Sequence, residues 1–136
     1  MVRSVLAVLA GLVTAFVVIF VVEAVGHIFY PPPPDADLRN PETIKLLMEN
    51  APTGSLIMLL IGWAAGSFIG GLFTAIVATK NKVTHSIITG GLLMISGISN
   101  MVLVQHPVWM WIFGLMMFVP FAYLGSKYLS KNRMEE

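Results

Sequence analysis

Glu23 and His27 stand four residues apart in a stretch otherwise almost free of polar side chains. On a helix that spacing is one turn, so a carboxylate and an imidazole can touch. Later, Ser96, Ser99, Asn100, Gln105 and His106 crowd into one short segment. Three kinds of chemistry fit these residues. The first is a hydrogen-bond network that ties two helices together, with His27 or His106 pairing Glu23. The second is a protonation site that couples transport to a proton gradient. Ionisable groups within membrane spans are functional candidates, and histidine titrates near neutral pH. The third is a metal centre: Glu23, His27 and His106 offer one carboxylate and two imidazoles, a set suited to zinc or iron. His27 and His106 are also candidate axial haem ligands. No motif calls for a cofactor.

The chain that carries these residues has 136 residues, of which 57% are hydrophobic and 11% charged. Its mean hydropathy is +0.83. Soluble domains carry about 25% charged residues, so a water-facing surface cannot be covered here. The absence of cysteine excludes disulfides, thiolate metal sites and cysteine-bound clusters. A net charge of +1 gives no basic field for nucleic acid. The glycine pairs Gly70-Gly71 and Gly90-Gly91 lie inside apolar runs rather than between a strand and a helix, so no phosphate loop is present. There is no GxSxG elbow and no HExxH. Enzymatic chemistry has little support.

A bilayer core of about 30 Å needs roughly 20 apolar residues per helix. Four stretches meet that length: residues 5–30, 55–79, 84–104 and 108–129. The apolar run of the first exceeds the h-region of a signal peptide, so it reads as a span. Short links, Lys80-Asn81-Lys82 and Gln105-His106-Pro107, force antiparallel neighbours. The expected fold is all-α: one domain, a four-transmembrane-helix antiparallel bundle. Positive charge orients it. Arg3, Lys80, Lys82, Lys127, Lys131 and Arg133 fall on one side, against Arg39 and Lys45 on the other. Both termini are therefore expected in the cytoplasm of a bacterium, with the protein in its inner membrane.

The outer loop, residues 31–54, opens with the prolines Pro31 to Pro34, which stop the first helix. Asn40-Pro41-Glu42 then reads as a cap and helix start. Ile44, Leu47, Met48 and Ala51 follow at helical spacing. A short amphipathic helix is expected there, lying in the interface or covering the bundle.

Lipid tails are as apolar as leucine, so small residues that let backbones approach must hold the helices together. Gly62, Gly66, Gly70, Thr74 and Ala78 recur every four residues in the second span. Ala7, Gly11 and Ala15 do so in the first, and Ile19, Glu23 and His27 continue that row. At 1.5 Å per residue, Glu23 lies roughly 10 Å below the outer end of its helix. The third span ends at the same depth with Ser96, Ser99 and Asn100, and Gln105 and His106 follow.

A four-span chain with one glutamate in its first helix resembles the small multidrug resistance transporters. That resemblance implies a proton- and drug-binding role for Glu23. The chain departs from them in its long first loop, its one-sided charge and the outer position of Glu23. Gly26-His27, the Pro31–Pro34 tract, the Gly62–Gly71 region and His106-Pro107-Val108-Trp109-Met110 resemble small four-span bacterial membrane proteins without an assigned activity. That likeness implies topology and no chemistry. The leading expectation is a scaffold or accessory subunit, a homo-oligomer or part of a larger membrane complex, that associates through the glycine face. The alternatives are a proton-coupled solute or ion transporter using Glu23 and His27, and a metal- or haem-binding protein.

Overall fold

A computed structural model describes residues 2–132. Five helices follow one another: α1 (Val2–Phe29), α2 (Pro41–Glu49), α3 (Thr53–Val77), α4 (Lys82–Leu103) and α5 (Val108–Asn132). No strand occurs among the described residues. α1, α3, α4 and α5 are each long and apolar enough to cross a membrane. Arg133, counted above with the inner-side charges, lies outside the described residues.

The boundaries follow local chemistry. The Asn40 side chain caps α2, accepting from the Glu42 N–H at 2.9 Å. Pro41 takes the first turn, where no N–H is needed. α3 stops at Val77, where Ala78 turns extended. α4 begins at Lys82, two residues earlier than expected, because Asn81 takes the left-handed conformation (φ 49°) and reverses the chain at once. Asparagine is among the few residues that adopt it readily.

α3 is the hub. It packs on α1, α4 and α5, whereas the backbones of α1 and α5 do not approach each other. Two small-residue seams make this contact close. On one seam α1 runs antiparallel to α3: a side chain at Gly66 would lie 2.9 Å from the Ala15 carbonyl oxygen, and one at Gly70 2.8 Å from that of Gly11. Gly11 in turn faces Thr74. Gly62 meets Val22, and Ala78 is buried just beyond the helix. The Gly62–Thr74 face is thus filled by α1 of the same chain. This is the helix packing within the chain that the four-residue spacing of small side chains allows.

On the other seam α3 and α5 run parallel. Gly71 sits against the Ala122 backbone, and Gly125 against Phe68 and Leu72. α4 closes onto both through hydroxyls: Ser86 donates to the Gly71 carbonyl at 2.7 Å, and Thr74 and Thr89 share a bond of 2.9 Å. In lipid such bonds add to packing where hydrophobicity cannot.

Candidate functional site

The small residues that hold the bundle together near its termini leave the opposite half, the outer one in the orientation expected from the charges, looser. Gly97 makes room for the Phe118 ring, and Gly114 for Trp63. The two rings stack at 5.3 Å and form one wall of a crevice between α1, α3 and α4. That crevice holds two cavities, of about 390 Å³ and about 260 Å³. Glu23 and Asn100 line both.

The wider cavity lies nearer the membrane centre and has Phe16, Phe20, Trp63 and Phe118 as walls, with Ser96 at its edge. The outer cavity adds His27, Tyr30, Ser55 and His106. Met48 of α2 also reaches it, so the amphipathic helix contributes to the outer end. Of the residues singled out by sequence, Glu23, His27, Asn100 and His106 therefore meet at one cavity, and Ser96 borders its neighbour. Ser99 and Gln105 are exposed and line neither cavity. Tyr30 and Ser55 were missed. Tyr30 follows His27 by three residues, a same-face spacing that the sequence did offer.

The hydrogen-bond network expected between α1 and α4 is not formed. Ser96 and Ser99 donate to their own helix, to the carbonyls of Leu92 (3.1 Å) and Ile95 (3.0 Å). No side-chain hydrogen bond reaches Glu23, His27 or Asn100 among the described residues. The one ion pair there is Lys45–Glu49 at 3.9 Å, on the exposed face of α2. Although Glu23, His27 and His106 line the same cavity, no group of three ligating side chains close enough to hold a metal ion is found among the described residues. A cavity of about 260 Å³ is also small for a haem, since sites for drug-sized ligands span about 300–1,000 Å³.

His106 is the most unusual member. It is only 7% exposed, and neither ring nitrogen has a hydrogen-bond partner. Its ring leans on Trp63 with centroids 6.0 Å apart. A buried imidazole without partners is costly. Burial pushes its pKa below the ordinary histidine range, while the nearby Val104 and Met101 carbonyls pull weakly the other way. A histidine with a depressed folded pKa stabilises the fold fully only above its unfolded pKa of about 6.5. That contribution is lost as pH falls through the folded value. The thermal midpoint in detergent is therefore expected to fall as the buffer is taken below pH 6.5. His106→Phe should flatten that dependence, and equal slopes in parent and variant would remove His106 as its source.

No family model, no curated protein and no solved structure matches this chain.

Proposed function

We propose that this is a small non-enzymatic integral membrane protein that binds a small solute in its outer half and exchanges it against a proton on Glu23. We place it in a bacterial inner membrane with both termini in the cytoplasm. One observation carries this preference. Glu23, Asn100 and His106 line one cavity, no side-chain hydrogen bond reaches them among the described residues, and both His106 ring nitrogens are buried without a partner. A buried imidazole without partners is costly, so His106 beside two further unpaired polar groups suits a ligand better than a structural joint. The scaffold alternative loses its main surface, because α1 already covers Gly62, Gly66, Gly70 and Thr74.

Asn100→Leu tests the choice without knowledge of the ligand. A structural network would lose about 0.6–1.7 kcal/mol when one polar member is removed. A ligand site should instead become easier to fold once a partnerless amide is replaced by an apolar side chain of similar size. The expected result is an unchanged or higher thermal midpoint for the purified variant. A lower midpoint would show that Asn100 serves the fold and would sink the solute-binding proposal.

A further inference from the structure

The mouth of the wider cavity shows where its occupant comes from. Its exposed lining residues are Phe16 and Phe20 on α1 and Ser96 and Asn100 on α4. Phe16 is at the middle of a 28-residue helix, so the mouth opens at the depth of the hydrocarbon. Towards the inner end the route is shut, since Gly11 lies against Gly70 and Thr74. At the outer end His106 is buried, whereas His27 and Tyr30 of the second cavity are exposed. The mouth of the wider cavity therefore faces lipid.

The polar end of the crevice defines the complementary head group. Glu23 offers carboxylate oxygens, Asn100 an amide NH2 and a carbonyl oxygen, and a neutral His106 one donor and one acceptor nitrogen. No lysine or arginine lines either cavity. A phosphate or carboxylate would find no cation there, and a permanently alkylated ammonium has no N–H to donate. The aromatic walls of the wider cavity suit an apolar chain.

Resting on the solute-binding proposal, we infer that the ligand is a bilayer-resident, single-chain amphiphile whose head pairs a primary ammonium with a neighbouring neutral oxygen. The ammonium meets Glu23, and the oxygen meets Asn100 and His106. The chain lies along Phe16 and Phe20, and entry is sideways between α1 and α4.

Trp63 reports on both cavities, because it lines one and leans on His106 in the other. With Trp109→Phe and Trp111→Phe it becomes the single tryptophan. In phosphatidylcholine nanodiscs, 2-amino-1-dodecanol is expected to shift its emission saturably. Glu23→Gln should raise the half-saturating mole fraction at least about tenfold, in line with loss of a charge-assisted hydrogen bond. Its unliganded emission and thermal midpoint should match the parent, which separates lost binding from lost fold. Dodecanoate and dodecyltrimethylammonium are expected to give no saturable shift. A similar response to dodecyltrimethylammonium would overturn the head-group assignment. A Glu23-dependent response to water-soluble ethanolamine at equal aqueous concentration would overturn lateral entry while leaving a solute site standing. Silence from every compound would take both proposals down together. Nanodiscs containing phosphatidylethanolamine are expected not to compete; competition by that two-chain, phosphate-bearing head group would overturn the single-chain, neutral-oxygen assignment.

Discussion

Gly71→Leu is expected to lower the thermal midpoint and the yield of folded protein sharply, while Gly91→Leu on the next helix changes little. A Cβ at Gly71 would run into the carbonyl oxygen of Ala122 and lie 2.6 Å from its Cα and 2.7 Å from its carbonyl carbon. Those atoms are backbone and cannot rotate away. The only relief is to part α3 from α5, which also strains the Gly125 contact with Phe68 and Leu72. Overpacking that side chains can absorb costs about 1–3 kcal/mol. Here the clash separates two helices along a seam, so the loss should reach or exceed the top of that range. Against a total stability of about 5–15 kcal/mol, that is a large fraction. At Gly91 nothing lies within 4 Å of the added atom, and a better helix former favours the helix by up to about 1 kcal/mol. The yield of monodisperse protein by size exclusion and the thermal midpoint decide the matter. Equal behaviour of the two variants would mean that the α3–α5 seam does not hold the bundle.

The contrast also shows what the sequence could disclose. The Gly62–Gly66–Gly70–Thr74 row was legible because its spacing repeats every four residues, and its partner row on α1 has the same period. The seam around Gly71 was not. Its other half, Ala122 and Gly125, lies on α5, which is parallel to α3 and far along the chain. No short loop announces that pairing. The four spans and the capped α2 were legible from hydropathy length and from Asn40-Pro41-Glu42.

The candidate site was legible in depth and not in direction. Counting residues put Ser96, Ser99 and Asn100 level with Glu23. Successive helical residues turn by 100° around the axis, so Ser99 sits about 60° from Ser96 and about 100° from Asn100, enough to leave it off the cavity. Depth alone could not separate them. The same limit hid Tyr30 and Ser55, which reach the cavity from helix ends whose angle the sequence leaves open. The loss of an expected Glu23 pairing has a related cause. Sequence spacing allows contact, but the crevice between α1 and α4 is wide enough to leave each polar group facing the cavity instead.

Glu23→Gln should erase the pH dependence of ligand affinity. A proton and an ammonium head compete for the same carboxylate, so each weakens the other by the same factor. Where the carboxylate is mostly protonated, the affinity for 2-amino-1-dodecanol should fall tenfold for each pH unit of acidification. The probe itself stays cationic across pH 5–8, so the slope belongs to the protein. In Glu23→Gln the affinity should be weaker throughout and flat with pH. Glu23→Asp keeps a titrating group about one methylene farther from the crevice, so it should retain the slope at reduced affinity. His27 lies one turn from Glu23 and lines the outer cavity, and its protonation would repel the same cation with the same sign. His27→Gln therefore serves as the necessary control and should preserve the slope. If the slope survives in Glu23→Gln and disappears in His27→Gln, the exchanging proton belongs to the imidazole and the carboxylate only orients the head group. If the parent shows no slope, ligand and proton do not share a site, and exchange transport on Glu23 is refuted whatever the crevice binds.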